Sequence, residues 1–320
     1  AGGGVFSRSQ KSIPIAATVK ARFGITQDRL PPNMLINAIL RAQADLLWIG
    51  GIGTYVKAAA ESHVDVGDKA NDAVRIDGCE LNVRVVGEGG NLGMTQLGRV
   101  EYALKGGRLN TDFIDNAGGV DCSDHEVNIK ILLNELVAAG DLTLKQRNRL
   151  LHEMTDAVAG LVLRSNYKQT LALSNAELEA SFRIEEYRRL INHLEAIGKL
   201  NRRMEFIPDD EAITERKSRR AGLTRPELCV LMSYVKGLAK EELIRSDIVD
   251  DVSLAGELRT EFPDQLRQRF GAALGQHRLR REIIATQLAN DMVNHMGITI
   301  IDRLRQSTGA KLPNIAQAYV

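Results

Sequence analysis

The chain has 320 residues, enough for two domains with a sizeable buried core. Its 42 lysines and arginines are balanced by 41 aspartates and glutamates, and the net charge of +1 provides no general attraction to nucleic acids or acidic membranes. Aromatic residues make up 4% of the chain, too few for a base-stacking surface, and no apolar run approaches the ~20 residues of a membrane span. We therefore expect a globular protein that binds neither nucleic acid nor membrane.

Three cysteines, Cys79, Cys122 and Cys229, lie far apart in the sequence without a C-x-x-C pair. That spacing supports neither a disulfide framework nor a structural zinc site, so we expect no bound metal and a location in a reducing cytoplasm. The chain begins without Met and without the basic and apolar segments of a signal peptide. We expect it to be part of a longer protein.

The first 125 residues alternate short apolar runs with helix-like stretches and contain most of the 28 glycines. Apolar residues at helical spacing follow Pro31 and Pro32, which predicts a helix beginning there. Three apolar runs each end in a glycine-containing loop, as is typical of strands. The predicted strands are residues 45–49, 81–86 and 113–114, and the loops that follow them are residues 50–53, 87–91 and 116–119.

The spacing of these predicted strands fits a parallel sheet with a crossover between neighbouring strands. Right-handed crossovers place the carboxyl ends of parallel strands at one edge of the sheet, where the ligands of open α/β sheets bind. We therefore expect the loops at residues 87–91 and 116–119 to meet, together with Ser123, around one crevice.

From about residue 126 onward the apolar residues follow the 3.6-residue period of helices. Apolar stripes predict helices within residues 142–166 and 278–296, and the capping-box spacing of Thr224 and Glu227 predicts another helix start. Charges of alternating sign and a proline make residues 202–222 the best linker candidate.

These patterns predict a fold that is α/β plus all-α. Residues 1–140 would form an α/β region built on a parallel sheet. Residues 141–320 would form a C-terminal helical domain.

The glycine loops are candidate phosphate-binding turns. Gly87, Gly89 and Gly90 follow a predicted strand, but Leu92 stands at the sixth position of that loop, where the dinucleotide fingerprint has Gly or Ala. Val56 departs from the fingerprint in the same way in the preceding glycine loop. Tight turns after strands also explain such glycines, and the convergence of three loops at one predicted edge is what favours a binding role.

Two asparagines lie where predicted strands end. The carboxamides of Asn91 and Asn116 each offer a donor and an acceptor, as would be needed to hold a ribose hydroxyl or a nicotinamide amide. The alternative is that each asparagine only accommodates a left-handed turn. On the residues alone, both interpretations stay open.

Ser123 and Glu126 have the spacing of a capping box and precede apolar residues, which predicts a helix beginning at Ser123. The free N–H groups of a helix start could bind a substrate carboxylate, although a plain helix cap is the simpler explanation. The consecutive residues Asp124, His125 and Glu126 do not indicate a metal site, because side chains about 100° apart around a helix do not readily converge on one ion.

Two of these segments resemble motifs of glutamate dehydrogenases. Residues 87–91, GEGGN, are similar to the E-G-x-N motif of that family. Residues 116–120, NAGGV, followed by Ser123 and Glu126, are similar to its N-A-G-G-V…S…E motif. The stretches that look most like the large NAD-dependent glutamate dehydrogenases of bacteria are residues 45–57, 61–72, 87–133 and 223–236.

The resemblance implies that the glycine loop, Asn91 and Asn116 bind NAD, and that Asn116 and Ser123 bind the substrate, with Ser123 contacting the side-chain carboxylate of glutamate. It also implies that residues 1–140 form a partial Rossmann-like parallel sheet, the second half of an NAD-binding and catalytic domain. It assigns no catalytic residue to this chain. The catalytic lysine and aspartate, the first glycine fingerprint and the acidic residue for the adenosine ribose belong to family segments upstream of Gly2.

What the resemblance implies is an NAD-dependent enzyme that converts L-glutamate to 2-oxoglutarate and ammonium, as a cytoplasmic homo-oligomer. We expect the chain to be inactive without the upstream part of the same enzyme. Two alternatives stay open. The helical half could be an assembly or regulatory module with no catalysis of its own, or the dehydrogenase could act on another amino acid.

Overall fold

The computed structural model describes residues 4–320. It divides into two compact units. The first unit comprises the chain up to Asn116 together with Thr224–Glu227, and the second comprises Ala117–Leu223 and Leu228–Val320. The compact units thus divide after Asn116, and the assignment of residues 1–140 and 141–320 to functional domains remains a prediction.

The first unit alternates short strands and helices. In chain order its elements are β1 (Ile13–Pro14), α1 (Ala17–Phe23), β2 (Arg29–Leu30), α2 (Pro32–Leu40), β3 (Ala44–Ile49), β4 (Val56–Lys57), α3 (His63–Val66), β5 (Ile76–Asp77), β6 (Val83–Glu88), α4 (Gln96–Leu104) and α5 (Asp112–Asp115). Strands β1 and β2 pair antiparallel, whereas β3 with β6 and β4 with β5 pair parallel. The helix predicted after Pro31 is α2, and its first residue is a proline, which loses no hydrogen bond at that position.

Strands β3 and β6 confirm the prediction of parallel strands. Leu46 lies opposite Val85 and Ile49 lies opposite Glu88, so both strands end at the same edge. The position of β3 is nearly as predicted, whereas β6 lies slightly later in the chain than the predicted residues 81–86. The core beside them consists of the buried residues Leu40, Ile49, Val56, Ile76, Leu81, Val86, Met94, Tyr102 and Leu109.

The prediction of a third strand at Phe113 and Ile114 is wrong, because both residues lie in helix α5. The third parallel segment is at Arg108. Its carbonyl oxygen accepts the N–H of Val86 at 2.9 Å, and its N–H donates to the carbonyl of Arg84 at 3.2 Å. Arg108 follows two glycines and belongs to no apolar run, so the local sequence carries no strand signal there.

The second unit consists of helices and loops in the part of the chain that the structure describes. Its helices are α6 (Ala117–Ala138), α7 (Leu144–Glu153), α8 (Thr155–Glu179), α9 (Ile184–Ala196), α10 (Arg202–Glu205), α11 (Asp210–Ser218), α12 (Arg225–Ile244), α13 (Ala255–Thr260), α14 (Asp264–Arg269), α15 (Gly271–Leu274), α16 (Arg280–Met296), α17 (Ile300–Thr308) and α18 (Leu312–Tyr319). The first three residues of α12 belong to the first unit. Within residues 4–320, every helix is too short or too polar to traverse a lipid bilayer.

Helices predicted from apolar stripes and from the capping box are confirmed. Residues 142–166 fall mainly in α7 and α8, and residues 278–296 fall mainly in α16. Helix α12 begins directly after Thr224, whose N–H donates to Oε2 of Glu227 at 2.6 Å. This carboxylate contact satisfies an N–H group at the start of the helix.

The prediction of a linker at residues 202–222 is wrong. The segment contains helices α10 and α11, and Ile213 in α11 is completely buried. The guanidinium of Arg202 is also buried, with Nε 2.6 Å from Oε2 of Glu195 and Nη1 3.2 Å from Oδ1 of Asp210. Charges of alternating sign therefore pair within the second unit instead of marking a solvated connection.

Lys236 of α12 is a charged group held in an unfavourable environment. Its Nζ donates to Oε1 of Gln169 at 3.0 Å. Burial lowers the pKa of Lys236 to about 8, and the nearby carboxylate of Asp291 opposes that shift only in part. The folded protein therefore holds this proton less tightly than an unfolded chain, in which the lysine pKa is about 10.5.

We expect the protein to become more stable as the pH rises from about 8 to 10.5. In that interval the unfolded chain still binds the proton that the folded chain has lost, so this one group adds roughly 1–3 kcal/mol of stability. Lys236→Met is expected to raise the stability at pH 7 and to remove the increase. Urea unfolding of both proteins between pH 7 and 10.5 measures the difference, and curves that stay parallel would contradict the assignment.

Candidate functional site

The loop after β6 lies at the carboxyl edge of the parallel strands. The N–H groups of Gly89 and Gly90 both donate to the carbonyl oxygen of Ile49, at 2.9 and 3.1 Å. Ile49 is the last residue of β3, so the two strand ends are joined directly. These two N–H groups are therefore engaged within the fold, which distinguishes this loop from a phosphate-binding turn that presents its N–H groups to the ligand.

Trp48 explains why two positions of that loop are occupied by glycine. A Cβ atom added to Gly87 would lie 2.7 Å from Cε3 of the indole, and a Cβ on Gly89 would overlap Cζ2 of the same ring. Trp48 is 60% exposed as a residue, although its ring lies against the backbone of these glycines. Gly90 has a different constraint, because its Cβ would lie 2.7 Å from the carbonyl oxygen of Gly51.

A buried ion pair lies beneath the loop. Glu88 is completely buried, and its two carboxylate oxygens accept hydrogen bonds from Nε and Nη2 of Arg99, at 2.7 and 2.9 Å. The N–H of Met94 donates to the same carboxylate at 3.0 Å. Burial raises the pKa of Glu88, and the hydrogen bonds and charge of Arg99 counteract the rise. The glutamate of the GEGGN segment thus faces the interior and stabilises the turn.

Two aspartates of α5 fix the two ends of the same loop. Oδ2 of Asp115 accepts the N–H of Glu88 at 3.0 Å, and Oδ2 of Asp112 accepts the N–H of Leu92 at 2.8 Å. The second bond holds Leu92 in a left-handed conformation with φ of 58°, which a leucine rarely adopts. Burial raises the pKa of Asp115, and its hydrogen bonds from Asn110 and Glu88 act in the opposite direction. Helix α5 therefore holds the backbone on both sides of Asn91.

The structure brings together the two asparagines predicted from sequence. Nδ2 of Asn116 donates to Oδ1 of Asn91. Asn91 is exposed and Asn116 is half-buried, so both carboxamides lie at the surface of the first unit beside the glycine loop. Together they present amide donors and carbonyl acceptors at the carboxyl edge of β3 and β6.

The predicted helix start at Ser123 is wrong. Helix α6 begins at Ala117, directly after Asn116, so Ser123 lies in its second turn. Ser123 belongs to the second unit and its side chain is exposed. Two glycines precede it within the helix, and Gly118 approaches Cγ1 of Val162, where a Cβ would lie at 3.6 Å. A carboxylate bound at Ser123 would therefore meet its hydroxyl and not the free N–H groups of a helix terminus.

Sequence reasoning did not identify Trp48, Arg99, Asp112 and Asp115 as parts of this site. Trp48 and Arg99 reach the loop from β3 and α4, and no local motif records such contacts. The two aspartates gave a weak signal, because carboxylates at the start of a short helix are typical of capping. Within residues 4–320 no three His, Cys, Asp or Glu side chains converge closely enough to hold a metal ion.

Comparison with known proteins gives two matches to protein families. Residues 1–176 match the family described as bacterial NAD-glutamate dehydrogenase, catalytic domain, and residues 220–320 match the family described as glutamate dehydrogenase, C-terminal. The first match covers more than half of the chain. The chain belongs to the bacterial NAD-glutamate dehydrogenase family. The boundary between the two matched regions falls within the second compact unit.

Three similar proteins are each named NAD-specific glutamate dehydrogenase. The chain is 62% identical to the protein of Pseudomonas aeruginosa over 320 residues, 57% identical to that of Halomonas elongata over 319, and 46% identical to that of Mycobacterium tuberculosis over 326. Each alignment covers 100% of this chain. The chain spans about 20% of the length of each of these relatives.

Proposed function

We propose that this chain supplies part of the NAD-binding and substrate-binding region of an enzyme that oxidises L-glutamate to 2-oxoglutarate and ammonium. The observation that carries the proposal is the contact of Asn91 with Asn116 at the carboxyl edge of parallel strands, in a member of this dehydrogenase family. Residues 1–140 would then be the second half of a Rossmann-like nucleotide-binding domain, and residues 141–320 a helical domain.

The residues at this edge fit a nicotinamide cofactor in their chemistry. The carboxamides of Asn91 and Asn116 can pair with ribose hydroxyls or with the nicotinamide amide, both of which need a donor and an acceptor. The glycines at positions 87, 89 and 90 add no side chains of their own to this edge, and the indole of Trp48 lies against Gly87 and Gly89. Bound NAD would supply the acceptor for a hydride from Cα of glutamate, and the asparagines would orient the ring toward that carbon.

Ser123 would bind the substrate through its exposed hydroxyl, which can donate a hydrogen bond to the side-chain carboxylate of glutamate. Asn116 would contribute a second polar contact to the substrate. Neither residue transfers a proton in this proposal, because we assign that step to a lysine and an aspartate in the upstream part of the enzyme. The imino acid left after hydride loss takes up water and releases ammonium.

In the intact enzyme, Ser123→Ala is expected to raise KM for glutamate by roughly tenfold or more, since a hydrogen bond to a charged group contributes about 1.5–3 kcal/mol. The values of kcat and of KM for NAD should change little. Steady-state NADH formation with varied glutamate measures all three values. Ser218→Ala, which alters an exposed serine of α11, is the matched control.

An unchanged KM for glutamate in Ser123→Ala would contradict the assignment and favour a dehydrogenase for an amino acid without an acidic side chain.

The 320-residue chain, without the upstream part of the enzyme, should form no NADH from glutamate and NAD. We further propose that the intact enzyme is a cytoplasmic homo-oligomer, whose remaining partners are the upstream part of the same protein and its small-molecule substrates.

A further inference from the structure

Helix α6 is anchored by one buried polar side chain close to Ser123. Residues 117–124, all of which the structure describes, are half-buried or exposed, and the first fully buried side chain of α6 is His125. Its Nδ1 lies 3.0 Å from Oε1 of Glu261 and 2.9 Å from the carbonyl oxygen of the same residue. The imidazole therefore ties α6 to Glu261 within the second unit, two residues after Ser123.

His125 lies between two carboxylates. Its Nε2 is 3.8 Å from Oδ1 of Asp121, on the opposite side of the ring from Glu261. Burial lowers the pKa of His125, but the hydrogen bond and charge of Glu261, together with Asp121, outweigh burial and raise it. A protonated imidazole between two acidic groups forms a charge-assisted contact, which is shorter and stronger than a neutral hydrogen bond.

Glu261 collects further contacts from α6 and from α16. It is 6% exposed, and its carboxylate accepts Nδ2 of Asn128 at 3.1 Å and Nε2 of Gln287 at 2.6 Å. The imidazole of His277 contacts the carbonyl of Asn128 at 3.0 Å. We call His125, Asn128, Glu261, His277 and Gln287 the α6 clasp.

The α6 clasp joins the two matched family regions inside one compact unit. His125 and Asn128 lie in the segment that matches the catalytic-domain family, whereas Glu261, His277 and Gln287 lie in the segment that matches the C-terminal family. All five residues belong to the second unit. The C-terminal region therefore reaches the helix that carries Ser123 through buried, directional contacts.

We propose that Glu261 and His125 are positioning residues through which the C-terminal region sets the position of Ser123 and hence the affinity for glutamate. The inference rests on the proposed contact of Ser123 with the substrate carboxylate. Ser123 lies two residues before His125, less than one helical turn away. A rotation of α6 at His125 therefore moves the serine hydroxyl by a comparable amount.

The test uses the intact enzyme with four variants: Glu261→Gln, His125→Asn, Ser123→Ala and the control Glu282→Gln. Glu282 lies in α16 and is exposed, so its substitution removes a nearby charge without touching the α6 clasp. Glu261→Gln and His125→Asn are expected to raise KM for glutamate about tenfold, with kcat and KM for NAD within about twofold of the parent. Glu282→Gln should behave as the parent.

A second measurement does not depend on turnover. Hydrogen exchange of backbone amides in the intact enzyme should become faster in residues 118–126 of Glu261→Gln, while residues 130–138 of the same helix stay protected. A uniform increase along α6 would overturn the proposal, because it would show general destabilisation instead of a released anchor.

The kinetic outcomes separate this proposal from the proposed function. If Ser123→Ala raises KM for glutamate and Glu261→Gln does not, the α6 clasp has no positioning role and the proposed function stands. If Ser123→Ala has no effect, the proposed substrate contact fails, and the positioning inference fails with it. Equal changes in kcat and in both KM values for Glu261→Gln would also overturn the positioning role.

Discussion

Replacing Arg99 with Met is expected to lower the free energy of unfolding by about 3–5 kcal/mol, the usual cost of removing one partner of a buried ion pair. The methionine would leave the carboxylate of Glu88 buried without its two guanidinium hydrogen bonds. Asp112, whose Oδ1 is 3.2 Å from Nη2 of Arg99, would lose the same cation. Urea unfolding of the 320-residue chain at pH 7 measures the loss.

Arg84→Met is the matched control for this experiment. Arg84 pairs with Asp45 across β6 and β3, but both side chains are almost fully solvated, so its loss should cost well under 1 kcal/mol. The double variant Glu88→Met with Arg99→Met should recover part of the stability, because it removes both charges at once. Equal effects of Arg99→Met and Arg84→Met would show that the buried pair does not hold the loop.

Gly90→Ala is expected to cost about 1–3 kcal/mol, and the loss should persist when Trp48 is replaced by Ala. The added methyl group would press on the carbonyl of Gly51, and backbone cannot move aside without distorting the joined strand ends. Gly89→Ala should also destabilise the protein, but its new contact is with the indole of Trp48. In the Trp48→Ala background the cost of Gly89→Ala should therefore disappear.

Thermal or urea unfolding of the three single variants and the two double variants, together with the parent, gives this comparison as two double-mutant cycles. If Trp48→Ala reduced the stability loss of Gly89→Ala and of Gly90→Ala equally, the assignment of different constraints to Gly89 and Gly90 would be wrong. Measuring KM for NAD in the intact enzyme adds a functional control. A raised KM for NAD that persists in the Gly89→Ala and Trp48→Ala double variant would indicate that the cofactor also needs this glycine.

The parallel strands could be predicted because their signal is local. Each of β3 and β6 is an apolar run that ends at glycine, and the distance between them leaves room for a crossover. The third strand could not be recognised in the same way. Phe113 and Ile114 form an apolar pair that periodicity cannot assign to helix or strand, whereas Arg108 pairs with β6 through its backbone alone.

The helix start at Ser123 was misplaced for a related reason. The spacing of Ser123 and Glu126 fits a capping box, but the same spacing also occurs inside a helix. What decides the outcome is that α6 already begins at Ala117, with Gly118 packed close to Val162 of α8. That packing joins residues far apart in sequence, so a local pattern does not reveal it. The two glycines at positions 118 and 119 also favour a turn over a helix when the local sequence is considered alone.

In the candidate site, too, the local sequence pattern indicates some residues, whereas others belong to the site only through contacts between distant parts of the chain. Asn91 and Asn116 stand at the ends of predicted strands, and their side chains do meet. For Asn116 the predicted reason is wrong, because this residue joins helix α5 to helix α6 and residues 117–119 of the predicted loop are helical. Trp48 and Arg99, by contrast, act through their position in the folded chain. Glu88 was recognised as part of a motif, but its burial against Arg99 could not be read from the motif itself.

The α6 clasp also bears on how the polypeptide can be divided for expression or crystallisation. A cut between the two matched regions would leave His125 on one piece and Glu261 on the other, and would also separate Lys168 of α8 from Asp291 of α16, which are 3.0 Å apart. Each piece would then expose a buried surface and unpaired charges to water. Sequence-family limits are therefore poor guides to truncation here, and pieces that retain residues 117–320 together keep this interior whole.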